Sequence, residues 1–200
     1  LIPSLIASIY FFGPRAAVIT IVSVATCVIA EYICRKVMKR EQTIGDLSAV
    51  VTGILLAFNL PSSVPIYVPI IGGLVAIVMV KQMFGGLGQN FVNPALLARI
   101  ILMNSFPVLM TTWYPAGSFG ADTTATASPL ANIAAGSVDA LPSYMDMFIG
   151  NIPGCLGETS ALALLIGGIY LIARKVISPI IPVTYIGTVF VLSAILGQDP

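Results

Sequence analysis

A hydroxyl-rich stretch at residues 120–130 holds the side chains best suited to covalent chemistry. It reads GADTTATASPL and combines one carboxylate, Asp122, with several hydroxyl groups. Its side chains stay small as far as Ser128, as a segment that another enzyme must grasp and modify requires. The stretch is therefore a candidate site for covalent modification of one of its hydroxyl groups. Composition alone also suits a polar loop that confers solubility, or an O-modified segment.

A glycine-rich stretch at residues 85–94, GGLGQNFVNP, is the second candidate site. A dinucleotide-binding loop is disfavoured, because no Rossmann strand precedes these residues. The spacing predicts a tight re-entrant turn, in which glycines allow close backbone packing and Pro94 begins the next helix. Asn90 and Asn93 lie in this turn, and a carboxamide both donates and accepts hydrogen bonds.

Metal and histidine chemistry find little support in the residues available. Histidine is absent, which removes the commonest metal ligand and the usual acid–base group at neutral pH. The cysteines Cys27, Cys34 and Cys155 lack C-x-x-C spacing, and we interpret them as small packing residues.

The composition indicates a membrane protein. Apolar residues make up 58% of the 200 residues and charged residues 8%, whereas a soluble domain carries about 25% charged residues. The formal net charge of +1 gives no basic surface for nucleic acid. We expect an all-α, polytopic helical bundle with about six spans in the lipid bilayer, forming a single transmembrane domain over residues 1–200. Because residue 1 is leucine and an apolar run continues almost to residue 200, we expect a segment of a longer subunit.

The apolar runs also predict where helices break. Residues 47–60 are short for a crossing, and Asn59, Pro61 and Pro65 interrupt the chain before a second run at 66–80. We therefore predict a short or broken helix followed by a span. The other apolar runs are 1–12, 16–34, 95–110, 159–173 and 179–197.

The positive charges predict the orientation of these runs. Alternate threading leaves Arg15 on one face and puts the other cations outside the 95–110 run on the opposite face: Arg35, Lys36, Lys39, Arg40, Lys81, Arg174 and Lys175. The positive-inside rule makes the second face cytoplasmic. The connection at 111–157 contains no Lys or Arg and is then predicted to lie on the outer face, with Trp113 and Tyr114 as an interfacial anchor.

A short internal similarity indicates an inverted repeat. GDLSA at 45–49 opens one run and GETSA at 157–161 opens another, each with an acid and a hydroxyl at a predicted helix start. One copy starts from the cytoplasmic side and the other from the outer side, as in inverted repeats whose broken helices build a site near the midplane. Two independent helix caps are the alternative.

Four ordered blocks resemble a known family. They are GDLSAVVTGILLAFNLPSSVPIYVPIIGG (45–73), FGGLGQNFVNPALLARI (84–100), DTTATASPL (122–130) and GETSALALLIGGIYLI (157–172). Together they resemble the D subunits of Rnf electron-transport complexes, and less closely the homologous B subunits of sodium-translocating NADH:quinone reductases.

The resemblance implies a covalent FMN, joined by a phosphoester to a hydroxyl in an Asp-x-x-(Ser/Thr)-Gly-Ala-(Thr/Ser) motif and installed by a flavin transferase. On this sequence the acceptor falls on Ser128, with Thr126 as the second candidate, and Asp122 would serve recognition by the transferase. Asp122 also suits a turn cap. Ala125 replaces the usual Ser or Thr, Thr126 replaces Gly, and Ser128 replaces the more usual Thr. A phosphoester needs only an unhindered hydroxyl, so serine suits the role.

The resemblance also implies a second, non-covalent flavin of the riboflavin type, with Asn90 and Asn93 as ligands for the uracil-like edge of its isoalloxazine ring. It implies a multi-pass subunit of a complex in the bacterial cytoplasmic (inner) membrane, with other membrane and peripheral subunits as partners. That complex would pass electrons from ferredoxin or NADH through flavin and export Na⁺ or H⁺. This chain has no iron–sulfur ligand set or nucleotide site, so it would not be catalytic alone.

Charged residues in or beside apolar runs are further functional candidates, since charge in hydrocarbon is costly. Arg99 is expected either to snorkel to the headgroups or to pair with a flavin or with a carboxylate of a partner subunit. Glu31 is predicted to be interfacial and to bond Arg35 at i,i+4 spacing. Asp46 and Glu158 are interpreted as helix caps, with a cation route as the alternative.

The residues leave two other function classes open. A cofactor-free transporter or channel suits broken helices and an inverted repeat equally well, with Asp46, Glu158 and the asparagines along its path. A purely structural membrane subunit is the third hypothesis.

Overall fold

Helices make up most of the computed structural model, which describes residues 1–117, 126, 128–134, 141–158 and 160–196. The predicted all-α class is confirmed. The helices are α1 (Ile2–Phe12), α2 (Pro14–Val37), α3 (Ser48–Phe58), α4 (Tyr67–Leu74), α5 (Pro94–Ser105), α6 (Pro107–Thr111), α7 (Pro129–Ala134), α8 (Tyr144–Ile149), α9 (Ala161–Ala173) and α10 (Ile180–Leu196). A 3-10 turn, Ile44–Asp46, precedes α3, and α4 continues directly into a π-helix, Val75–Gln82.

The chain divides into two compact units, Leu1–Leu164 and Leu165–Pro200. In the first unit, α2 packs against α3, α4 and the π-helix. Its core is aliphatic and includes the fully buried side chains of Leu56, Leu60, Val64, Val68 and Leu102.

The described part of the second unit consists of the end of α9, a turn and α10. Lys175 adopts the left-handed conformation in that turn, with φ 56°. The amide N–H groups of Arg174, Lys175 and Val176 donate back to carbonyls of α9, which closes its C-terminus.

Small residues bring α2 and α3 into close contact. The Ser23 hydroxyl donates to the Gly53 carbonyl over 2.8 Å, and a Cβ placed on Gly53 would lie 2.6 Å from the Cα of Val24. Glycine is therefore required for this approach, and the buried hydroxyl is satisfied across the helix pair, as is common between membrane helices.

The predicted break between two helices at residues 59–66 is confirmed. Helix α3 has 11 residues, or about 16 Å of rise, which is roughly half of a hydrocarbon core. Arg15 donates from Nη2 to the carbonyls of Ser63 and Val64, both at 3.1 Å. The Ser63 hydroxyl donates to the Thr112 carbonyl over 2.8 Å. These bonds connect the break to the start of α2 and the end of α6.

The apolar run at 95–110 contains a second break, which was not predicted from the sequence. Helix α5 ends at Ser105, and α6 starts at Pro107, which lacks the N–H needed to continue the hydrogen-bond ladder. Among the described residues, Pro14–Val37 is long and apolar enough to cross a membrane alone, with a mean hydropathy of 2.1. The number of crossings and the inverted repeat stay predictions.

Candidate functional site

The first of the two candidate acceptor residues, Thr126, bridges the predicted interfacial anchor at Trp113. The amide N–H of Thr126 donates to the Trp113 carbonyl over 2.9 Å in an isolated antiparallel bridge, and Thr126 is exposed. Ser128 is half-buried and directly precedes α7, where its carbonyl accepts from the amide of Asn132 over 3.0 Å. Asp122 lies outside the described residues. The backbones of Thr126 and Ser128 are thus each held by a hydrogen bond.

The glycine-rich stretch forms the predicted tight turn. Gly85, Gly86 and Gly88 have φ values of 116°, 110° and 81°, a region that L side chains rarely adopt. Pro94 occupies the first turn of α5, as predicted. The rings of Phe84 and Phe91 contact edge to face, with centroids 4.9 Å apart, at the two sides of this turn.

The two candidate flavin ligands in this turn have different environments. Asn93 caps α5, because its Oδ1 accepts from the amides of Ala95 and Leu96 over 3.0 and 3.3 Å. Asn90 Oδ1 is buried and has no hydrogen-bond partner in the part of the chain that the structure describes. Leaving such an acceptor unpaired costs about 1–3 kcal/mol, so a bound donor group would stabilise it. Asn90 therefore fits a ligand directly, whereas a ligand at Asn93 would compete with the helix cap.

A buried polar cluster next to the turn was not predicted from the sequence. Lys81 Nζ lies 2.9 and 3.0 Å from the two carboxylate oxygens of Glu31, and Gln82 Nε2 donates to the same carboxylate over 2.9 Å. The predicted Glu31–Arg35 pair is present at 3.7 Å, and Glu31 is fully buried against the rest of the chain. Its interfacial depth in the membrane stays a prediction. Lys81, interpreted as a topology marker, is 1% exposed. Lys81 and Glu31 are 50 positions apart in the sequence, so no local signal predicts this pairing.

Asp46 hydrogen-bonds Ser48, the first residue of α3, while Leu47 occupies the N-cap position. Its Oδ1 accepts from the amide and the hydroxyl of Ser48 over 2.8 and 2.5 Å, at the start of α3. Desolvation raises the pKa of Asp46, but the hydrogen bonds from Ser48 outweigh it and hold the pKa below its ordinary value.

Arg99 and Glu158 form an ion pair inside this chain. Arg99 Nη1 lies 3.2 Å from Glu158 Oε1 and 2.8 Å from Asn59 Oδ1. Arg99 therefore pairs with a carboxylate of its own chain. Snorkelling, and pairing with a flavin or with a partner subunit's carboxylate, stay predictions. Ser160, rather than Glu158, caps α9 by accepting from the amide of Ala163 over 3.2 Å.

The segment before α9 pairs with the end of α3. The amides of Leu156 and Gly157 donate to the carbonyls of Leu60 and Phe58, each over 3.0 Å, and Cys155 bridges Pro61. A Cβ on Gly157 would collide with the Phe58 side chain. This contact joins the end of α3 to the residues that precede α9. Binding sites built from broken helices have helix ends brought together in this way.

The sequence is similar to components of ion-translocating redox complexes. Residues 1–200 match the NQR2, RnfD, RnfE family. The chain is 46% identical over 204 residues to the D subunit of the Na⁺-translocating ferredoxin:NAD⁺ oxidoreductase complex of Acetobacterium woodii, covering 100% of this chain and 63% of the relative. It is 40% identical over 205 residues to the D subunit of the proton-translocating ferredoxin:NAD⁺ oxidoreductase complex of Clostridium ljungdahlii, covering 98% of this chain and 62% of the relative.

A third relative has a broader name. The D subunit of the ion-translocating oxidoreductase complex of Rhodobacter capsulatus is 35% identical over 224 residues, covering 98% of this chain and 63% of the relative. The chain thus spans less than two thirds of the length of these relatives. The match covers the glycine turn, the hydroxyl segment and both broken-helix segments, and the chain therefore belongs to the NQR2, RnfD, RnfE family.

Proposed function

We propose that this chain is the larger part of a membrane redox subunit in an ion-translocating ferredoxin:NAD oxidoreductase complex. The observation that carries the proposal is 46% identity, over the full chain, to a relative named as the D subunit of such a complex. The complete subunit passes electrons through a covalently bound FMN and couples their passage to transport of Na⁺ or H⁺. It acts with other membrane and peripheral subunits.

The covalent FMN is attached to Ser128, with Thr126 as the second candidate. Support comes from the anchored backbone of the segment, which the Thr126–Trp113 bridge holds beside the end of α6. A serine hydroxyl at the start of α7 meets the chemical requirement of a phosphoester. Asp122 serves recognition by the flavin transferase. When bound, the flavin supplies one-electron transfer, while the protein sets its position and exposure.

A non-covalent flavin of the riboflavin type binds at the glycine turn. Support comes from Asn90, whose buried Oδ1 needs a donor, and the N–H of a uracil-like ring edge is such a donor. Phe84 and Phe91 add two exposed aromatic rings beside the turn, and flat aromatic ligands pack well against such rings. Asn93 contributes its amide group while its oxygen caps α5.

The subunit lies in the bacterial inner membrane, with the hydroxyl segment on the outer face. Support comes from α2, which is long enough to cross and ends in Arg35 and Lys36 on its last turn. At the outer surface a reversibly bound flavin would be lost to solvent. A covalent tether keeps the flavin next to one fixed redox partner.

Flavin fluorescence in a denaturing gel tests the covalent link. The full-length subunit, made in a host that has the transferase, should give a band that fluoresces under ultraviolet light after denaturation. Ser128→Ala should abolish the fluorescence, whereas Thr126→Ala and the control Thr111→Ala, which removes an exposed hydroxyl of α6, should retain it. Loss in Thr126→Ala alone would move the attachment site to Thr126, and a dark wild-type band would overturn the proposal.

A further inference from the structure

A buried ion pair lies at the base of the glycine turn, and neither proposed flavin attachment uses it. Glu31 of α2 receives two bonds from Lys81 and one from Gln82, and the Thr43 hydroxyl donates to it over 3.1 Å. Lys81 Nζ also lies 2.6 Å from the Ser48 hydroxyl. Glu31, Lys81 and Gln82 are each at most 1% exposed. We call these three residues the Glu31 cluster.

The Glu31 cluster depends on an unusual helix geometry. Lys81 and Gln82 are consecutive, yet both side chains reach the same carboxylate. They lie at the end of the π-helix Val75–Gln82, in which the amide of Met83 bonds the carbonyl of Val78, five residues earlier. π-Helical segments are rare and frequently occur at functional sites. The cluster therefore fixes how the π-helix is turned relative to α2.

The backbone of the same two residues holds the first part of the glycine turn. The amide of Gly86 donates to the Lys81 carbonyl over 2.9 Å, and the amide of Gly85 donates to the Gln82 carbonyl over 3.3 Å. The amide of Gln89 then donates to the Gly86 carbonyl over 3.2 Å. A continuous series of bonds thus connects Glu31 to the residue before Asn90.

Two arginines from the end of α2 and the residues after it hold the turn from the other side. Arg40 Nη1 donates to the Gln82 carbonyl over 3.1 Å. The Arg35 guanidinium lies so close to Gly86 that a Cβ there would be 2.7 Å from Nη2. The carboxylate of Glu31 and both arginines come from α2 and the residues just after it. Side-chain and backbone contacts together therefore attach the glycine turn to this segment.

The energetics of burying charge indicate that the Glu31–Lys81 pair specifies a local geometry rather than adding net stability. A buried ion pair contributes little net stability compared with an apolar replacement, but removal of one partner leaves a costly unpaired charge. A paired charge at such a site is best explained by the geometry that it specifies, which here is the register of the π-helix and the turn that follows.

We propose that Glu31, Lys81 and Gln82 are positioning residues that hold the glycine turn in the conformation that binds a non-covalent flavin. They act through the backbone of residues 81–89 and do not touch the ligand. The ligand part of this inference rests on the proposed riboflavin-type site, whereas the ordering of the turn does not.

Hydrogen exchange and flavin content in the purified complex test this proposal. The informative variant is Glu31→Gln/Lys81→Met, because it removes both charges of the Lys81–Glu31 pair together, while Arg35 keeps its 2.7 Å bond to the Glu41 carbonyl. Gln82→Leu tests the third member with the ion pair intact. Lys36→Met, which removes an exposed lysine on the last turn of α2, is the control. The readouts are exchange of amides 83–93, exchange in α5, and non-covalent flavin per covalent flavin.

In the double variant, amides 83–93 should exchange about tenfold faster or more, α5 should be unchanged, and the non-covalent flavin should be lost while the covalent flavin remains. Gln82→Leu should change the readouts in the same direction and Lys36→Met should match wild type. Wild-type exchange and flavin content in the double variant would overturn the proposal. If wild-type complex contains no non-covalent flavin, the proposed flavin site fails, and the exchange measurement still decides the positioning role.

Discussion

Arg99 and Glu158 meet where the end of α3 approaches the residues that precede α9. Arg99 Nη1 lies 3.2 Å from the Glu158 carboxylate, and Asn59, the residue that ends α3, accepts from the same nitrogen over 2.8 Å. A cation is favourable at the C-terminus of α3, and an anion is favourable just before the N-terminus of α9. The pair therefore compensates the partial charges of both helix ends and holds them together.

A double-mutant cycle should show that these two charges interact. We expect a coupling free energy of about 1 kcal/mol between Arg99→Gln and Glu158→Gln, because the Glu158 side chain is 59% exposed and its charge is partly screened. Thermal unfolding of the detergent-solubilised single and double variants gives this value. Strictly additive effects would show that the pair contributes nothing.

Close packing at Gly53 should make this position intolerant of a methyl group. Gly53→Ala should destabilise the protein by about 1–3 kcal/mol, since the new Cβ would press on the backbone of Val24. Gly167→Ala is the matched control, because no atom lies within 4 Å of its Cβ and α9 gains helix propensity. The control should raise the melting temperature slightly. Equal effects at the two glycines would argue against the α2–α3 contact.

Substitution of the two asparagines of the glycine turn should have different effects, on flavin binding at Asn90 and on stability at Asn93. Asn90→Leu should remove the non-covalent flavin with little effect on stability, because it replaces an unpaired buried oxygen. Asn93→Ala should cost about 1 kcal/mol by removing the cap of α5, and Asn93→Ser should recover most of it. Flavin extraction and thermal unfolding measure these effects. Retention of the flavin in Asn90→Leu would remove Asn90 from the site.

Accessible cysteines should report the orientation of the chain. In a Cys34→Ser background, which leaves the buried Cys27 and Cys155, Lys36→Cys should react with a membrane-impermeant maleimide only in inside-out vesicles. Tyr144→Cys, at a residue that is 82% exposed in α8, should react only in right-side-out vesicles. Labelling of both from one side would contradict the outer position of residues 111–157.

Local signals in the sequence predicted several helices and the positions where they end. Apolar runs indicated α2, α9 and α10, and the prolines after Asn59 predicted the end of α3, because such signals act over a few residues. Gly85, Gly86 and Pro94 likewise predicted the turn before α5. Pro107 carried a similar signal for the end of α5, and this break was missed.

Contacts between distant residues could not be predicted from one sequence. The pairing of Lys81 with Glu31 of α2 has no local signal, and π-helical segments are too rare to be expected from an apolar run. Arg99 was rightly singled out as a charge within an apolar run, but its partners Asn59 and Glu158 are 40 and 59 residues away. The proposed roles of Ser128 and Asn90 in flavin binding came from the family resemblance. The structure adds a hydrogen-bonded backbone at Ser128 and an unpaired buried oxygen at Asn90.

Peptide mass spectrometry of the protein purified from its own organism tests the central proposal most directly. Digestion should yield a peptide containing residues 122–130 whose mass exceeds the sequence mass by FMN less one water, with fragmentation that places the addition on Ser128. An unmodified peptide, in a preparation that retains the other subunits, would contradict a covalent flavin on this segment and with it the redox role proposed for the chain.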